Sequence, residues 1–231
     1  MLAVPVANVT ATVTLHDGAY TPLPLIDAAL ARVGVRSGYA WTTDIPRAVG
    51  LAGSSALVIA ALRASGAAPD DPFELAQLAL SIERDDLGIA AGLQDRATQA
   101  YAQPVLVDFE ATPIVRVLVP AAPLDFVVVW DADAGGDSGE YHRGRQLGDD
   151  DVRAFRDVAR AAADAFESGD AAALASCMAT SARLRDQAAP LSPAHNALAE
   201  RLRRRGLAPN SAGSGGAVIA VRPSAVEGVG A

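Results

Sequence analysis

Four small residues, Gly50, Gly53, Ser54 and Ser55, stand close together in "DIPRAVGLAGSSALVIAALRASG" (44–66), where a polar approach gives way to an apolar run. Glycine lets a backbone come close to a ligand and take positive φ. Serine is a favoured cap at a helix N-terminus, where several backbone N–H groups lack an internal partner. Those same N–H groups, with the positive end of the helix dipole, suit a phosphate. The stretch by itself allows two readings: a phosphate cradle, or a tight turn with a helix cap and no ligand. Two carboxylates lie further on, Glu83 late in one expected helix and Asp95 near the start of the next, across "RDDLGIAAGLQ" (84–94). Charged residues in such a segment are mostly solvated surface groups. Here the glycine-rich turn brings two helices together, and "GLQDR" (92–96) sets Asp95 near a glycine in an otherwise apolar stretch. A carboxylate can hold Mg²⁺ or orient a hydroxyl nucleophile, and phosphoryl transfer needs both tasks done.

The elements that must position these residues follow from periodicity and punctuation. "NVTATVTL" (8–15) alternates threonine with apolar residues, as a half-buried antiparallel strand does. A helix is expected over 22–33, opened by Thr21-Pro22 and closed by Gly34. "YAWTTD" (39–44) reads as a strand leading into the glycine-serine turn and a helix that ends near Gly66. Asp71-Pro72-Phe73-Glu74 has the pattern of a capping box with proline at the first helical position, so a helix should run from 72 to about 86 and stop at Gly88. A further helix over 92–102 and strands at 104–109, 113–119 and 124–130 complete the first part of the chain. Then the character changes. "ADAGGDSGEYHRGRQ" (132–146) is too long for a simple connector and is a candidate binding loop. Helices are expected from Asp149–Asp151 to Gly169, at 171–186 and at 193–205; "NSAGSGG" (210–216) reads as a second small-residue loop before a buried strand, "AVIAV". "VPAAPL" (119–124) marks a boundary, dividing the chain into 1–121 and 122–231.

Composition excludes several classes. The 231 residues can bury a real core. A formal charge of −8 argues against a general nucleic-acid binder, because a phosphate backbone calls for a basic surface. The 19 basic residues are all arginine, which excludes a Walker-type lysine loop and a lysine Schiff base within this sequence. One cysteine, Cys177, makes no internal disulfide and no cysteine-rich zinc site. The longest apolar run, near 56–62, is too short to span a bilayer, and the start lacks a signal-peptide pattern. The expectation is a cytoplasmic protein without nucleic-acid or membrane partners.

In these residues the sequence resembles the galactokinase, homoserine kinase, mevalonate kinase and phosphomevalonate kinase (GHMP) superfamily. The family's phosphate motif is Pro-x-x-x-Gly-Leu-x-Ser-Ser-Ala, and "PRAVGLAGSSA" (46–56) matches it with one extra residue in the middle. Within the superfamily it is most similar to the glucuronokinases, through Gly50–Ala56, Leu87–Arg96, Asp137-Ser138-Gly139 with His142, and Gly213–Val218, in the same order. The resemblance implies an α+β fold with an N-terminal ribosomal protein S5 domain 2-like domain, a ferredoxin-like C-terminal domain and the nucleotide in the cleft between them. It implies ATP and Mg²⁺ as cofactors and a sugar or sugar-acid hydroxyl as acceptor, glucuronate first. The alternatives are a kinase for another small alcohol, such as mevalonate or homoserine, and a nucleotide-binding pseudokinase or regulatory protein without transfer activity.

Roles carry over one position at a time. Pro46, Gly50, Leu51, Gly53, Ser54, Ser55 and Ala56 resemble the ATP-phosphate cradle. Ser55 and Glu83 resemble the metal ligands, and Asp95 the aspartate that orients or accepts the proton of the acceptor hydroxyl. Gly213, Gly215 and Gly216 match the third motif, which packs on the phosphate loop. Ser138, Gly139 and His142 are candidates for sugar contact. The family's first motif, which helps bind the acceptor, has no counterpart in this sequence, and its place would be ahead of the first strand. The resemblance therefore implies ATP binding with weakened transfer, and an unpaired strand edge that favours self-association.

Overall fold

The computed structural model describes residues 2–3, 10–135 and 147–223. Alternation in the first strand is borne out: in β2 (Ala11–His16), Thr12 and Thr14 face solvent while Val13 is buried. A short strand, β1 (Leu2–Ala3), precedes it, and β2 pairs antiparallel with β3 (Gly38–Thr43), Val13 opposite Trp41. Between them α1 (Pro24–Arg32) starts at the second proline, two residues later than the first proline signals, with Leu23 flanking it. Tyr39 fixes that end: its hydroxyl accepts from the Leu23 N–H at 2.6 Å and donates to Asp27 at 2.9 Å.

Three further helices build the first core: α2 (Gly53–Ala64), α3 (Pro72–Ser81) and α4 (Leu93–Tyr101). Asp71 caps α3 through the Glu74 N–H at 2.8 Å, as its sequence pattern implies. The helix does not simply continue to 86. Residues Ile82–Asp86 form a wider turn, closed by the Leu87 N–H on the Ile82 carbonyl at 3.2 Å, five residues back. Arg32 grips this turn from α1, with a two-pronged contact to Asp86 at 2.6 and 3.0 Å.

Strand β4 (Val105–Val107) pairs with β1 on one side and with β5 (Val115–Val117) on the other. Its three residues are all buried because side chains alternate between two cores. Val105 and Val107 join the core of α1–α4, whereas Leu106 joins a second cluster built by α5 (Asp149–Ser168) and α6 (Ala171–Ala188). The same period governs β8 (Ala217–Val221). Val218 and Ala220 face α7 (Pro193–Arg203), and Ile219 and Val221 face α5 and α6. β8 is central in a three-stranded antiparallel sheet between β6 (Phe126–Trp130) and β7 (Asn210–Ala212). The expected small-residue loop at 210–216 is thus half strand: β7 and β8 make a hairpin, with the glycines at its turn. Of the long loop at 132–146, Ala132–Ala134 form a short 3₁₀ turn; Ser138, Gly139 and His142 lie outside the described residues. Helix α5 is tied back to the first half of the chain by Arg160–Asp108 at 2.7 Å, Arg116–Glu167 at 2.6 Å and Arg156–Glu110. No helix among the described residues is long and apolar enough to cross a membrane.

Candidate active site

The opening of α2 is made by backbone, not by side-chain capping. Ala48, Gly50 and Ala52 take left-handed φ of 58°, 78° and 59°, alternating with Val49 and Leu51, which do not. Alternation of this kind turns successive N–H groups toward one side and forms a concave anion-binding nest. It carries a cost of order 1–3 kcal/mol at each non-glycine position. The residue flanking the helix is Ala52, with no side-chain hydrogen bond and no acidic residue in the first turn. The expectation of a serine cap is therefore corrected: Ser54 and Ser55 lie inside the first turn, and Ser55 Oγ donates to the Ala52 carbonyl at 3.0 Å. Among the described residues, the Gly53, Ser54 and Ser55 N–H groups have no hydrogen-bond partner, the first intrahelical bond being Ala56 N–H to the Ala52 carbonyl at 3.1 Å.

Two glycines explain how a second segment reaches this nest. A Cβ on Gly213 would lie 2.7 Å from the Gly50 carbonyl oxygen, and one on Gly216 would lie 2.6 Å from Val49 Cα. The β7–β8 turn is packed backbone to backbone against the loop before α2, a contact closed to larger residues. Gly50, Leu51, Ala52 and Gly213 then line one cavity of about 580 Å³ with Asp95, bounded further by β4, α5 and α6. Gly53, Ser54, Ser55 and Ala56 sit in the helix behind, and Pro46 in the preceding turn, outside the lining.

Asp95 lies in the first turn of α4, with its side chain 45% exposed. Glu83 is wholly buried, at 0% exposure, in the wide turn after α3. Between them stands Arg96, which the sequence reading did not single out. Its Nε donates to Glu83 Oε2, one Nη donates to the Gly92 carbonyl at 3.0 Å, and the same nitrogen lies 3.5 Å from Asp95 Oδ2. Glu83 Oε1 is a buried carboxylate oxygen with no hydrogen-bond partner among the described residues. The structure thus links Asp95 and Glu83 through one guanidinium, and it brings Asp95 to the same cavity as the nest. Ser55 and Glu83 do not share the cavity lining, and no group of three or more potential metal-ligating side chains occurs among the described residues. The signal for Arg96 was present as the last residue of "GLQDR", but its partner is thirteen residues earlier, in a different element.

Residues 24–103 match the family model "GHMP kinases N terminal domain". They span α1 to α4, the nest, Glu83 and Asp95. This segment is similar to a GHMP kinase N-terminal domain. The GHMP relatives agree in fold over much more of the chain. Streptococcus pneumoniae phosphomevalonate kinase, in complex with phosphomevalonate and AMPPNP, superposes with a TM-score of 0.72 at 16% identity, over 93% of this chain and 82% of that one. Homoserine kinase from Cytophaga hutchinsonii gives 0.67 at 16% identity, over 92% and 76%. The described α+β arrangement is that of the GHMP kinases. In sequence, D-glycero-alpha-D-manno-heptose 7-phosphate kinase from Campylobacter jejuni is 44% identical over 62 residues, 26% of this chain and 18% of its own length.

Proposed function

We propose that this chain is an ATP- and Mg²⁺-dependent small-molecule kinase that phosphorylates a hydroxyl of an anionic sugar, with glucuronate the leading acceptor. The observation that carries the reading is that one cavity is lined both by the nest at Gly50–Ala52 and by the carboxylate of Asp95. Unpartnered N–H groups at the mouth of α2 bind and orient the nucleotide phosphates without a lysine. Asp95, in the first turn of α4, accepts a hydrogen bond from the acceptor hydroxyl and takes its proton as the oxygen attacks the γ-phosphorus and the bond to the β–γ bridging oxygen breaks, releasing ADP. Ser55 and Glu83 are oxygen donors of the kind Mg²⁺ takes, and the Oε1 of Glu83, partnerless among the described residues, leaves one carboxylate oxygen for a cation, with both side chains set behind the cavity lining. When bound, Mg²⁺ supplies neutralisation of charge on the transferring phosphoryl group. Ser138, Gly139 and His142 remain proposed sugar contacts, and 1–121 and 122–231 the proposed domains.

An anionic acceptor is favoured by Arg185 in the cavity wall, which has no ion pair among the described residues, whereas Arg156 and Arg160 are already paired with Glu110 and Asp108 of the same wall. Guanidinium groups suit carboxylate and phosphate alike. A second reading, a sugar phosphate as acceptor, is favoured by the matched segment of the heptose 7-phosphate kinase. The test is ATP binding by calorimetry, together with ATP consumption on glucuronate, a heptose phosphate, mevalonate and homoserine. Turnover on glucuronate alone supports the leading reading. ATP binding without turnover on any acceptor replaces it with a pseudokinase, and a chain that binds no ATP is not a kinase.

A further inference from the structure

His195 is 2% exposed and belongs to no part of the site described so far. It lies in the first turn of α7, where its backbone N–H is held by Ser192 Oγ at 3.2 Å. Its ring spans the β7–β8 hairpin. Nδ1 accepts from the Gly216 N–H at 3.1 Å, and Nε2 lies 2.9 Å from Ser211 Oγ. A nitrogen that accepts from a backbone N–H carries no proton, so the ring is the neutral tautomer with its proton on Nε2, donated to Ser211. Arg185 of α6 holds the other end of the same turn through the Gly213 carbonyl. The turn held in this way is the one whose glycines pack on Val49 and Gly50.

We propose that His195 is a positioning residue for nucleotide binding: its neutral ring fixes the Gly213–Gly216 turn, and through it the phosphate-binding backbone at Val49–Gly50. The proposal rests on the kinase reading above. Protonation would place an N–H at Nδ1 against the Gly216 N–H and remove the acceptor. Burial, then the charge of Arg185, hold the His195 pKa below its usual 6.5. The positive end of α7 acts in the same direction. Arg185 is the charged group that bears on the ring, while β7 and the turn bring Ser211, Gly215 and Gly216, which carry no charge. The sign follows from the lowered value. Above pH 6.5 the contribution is fully present. As pH falls, the unfolded chain takes up the proton first, and the contribution is lost on descending through the folded value.

The test compares His195→Asn, whose amide oxygen can stand in for Nδ1, with His195→Gln, whose amide can stand in for Nε2 only. The readouts are ATP affinity against pH and amide exchange across 211–216, with nitrogen NMR of the wild-type ring. The Gln variant should lose about tenfold in ATP affinity, the equivalent of one buried backbone hydrogen bond, and exchange faster at the turn. The Asn variant should stay near wild type in affinity and lose the decline of affinity at low pH. A wild-type ring protonated on Nδ1 overturns the proposal without any variant. So does a Gln variant with unchanged affinity, even if its melting temperature falls, because His195 then serves the core alone. A wild-type chain that shows the Nε2–H tautomer but binds no ATP overturns the kinase reading, and the positioning role falls with it.

Discussion

The two walls of the cavity are built in opposite ways. On one side, the loop before α2 and the β7–β8 turn meet through glycine and alanine backbone, with almost no side chain between them. On the other, Asp95 lines the cavity and is backed by the buried Glu83–Arg96 pair, which lies outside the lining. A backbone cradle is specified by what is missing, since a single Cβ would fill the contact. A buried charge chain is specified by what must be present, since each group depends on its partner for the solvation that burial removes. The first wall should therefore fail by added bulk and the second by lost charge.

The largest expected effect comes from breaking the charged wall. Arg96→Met leaves Glu83 buried and unpaired, and should cost about 3–5 kcal/mol in stability by denaturant unfolding. Removing both charges with Glu83→Leu in the same chain should recover most of that loss while abolishing the response of ATP use to Mg²⁺. A double variant no more stable than Arg96→Met would mean the pair is not acting as a unit.

Asp95→Asn is next, and it separates chemistry from scaffold on the same wall. Turnover should fall by roughly two or more orders of magnitude with ATP affinity little changed, about 3 kcal/mol in the barrier. Turnover near that of wild type would remove Asp95 from the mechanism.

Added bulk tests the backbone wall. Gly213→Ala must push a Cβ into the Gly50 carbonyl and adopt a left-handed φ, so stability should fall by about 1–3 kcal/mol. ATP affinity should fall with it while the Asp95-dependent step, measured at saturating ATP, is spared. Equal loss in both would show that the two walls are not separable.

Ser55→Ala should have the smallest effect on the fold. Ser55 is not a cap, so the roughly 1 kcal/mol expected of a lost cap should be absent and the melting temperature nearly unchanged. Its effect should show instead as a higher Mg²⁺ requirement. A clear loss of stability with unchanged Mg²⁺ dependence would return Ser55 to a purely structural role.

Local sequence determined a great deal of this protein, because helices and strands of this length answer to neighbours a few residues away. Threonine alternation placed β2, Asp71-Pro72 opened α3, the aspartates at 149–151 opened α5, and Gly169 closed it, all within a few residues of where they stand. The same local signals failed where the backbone leaves ordinary conformations. Alanines at 48 and 52 take left-handed φ that no propensity favours, and the expected serine cap gave way to the nest. The end of α3 widened into a turn held by Arg32 from another helix. In the site, Gly50, Asp95 and Gly213 could be named from short motifs, because a glycine or an aspartate in a motif announces the backbone or the charge it supplies. Arg96 and His195 could not, because their partners lie thirteen to twenty-one residues away. Only the tertiary structure decided those contacts. Burial, not chain proximity, makes the Glu83–Arg96 pair obligatory, and the packing of one glycine backbone on another brings the turn at 213–216 to the mouth of α2.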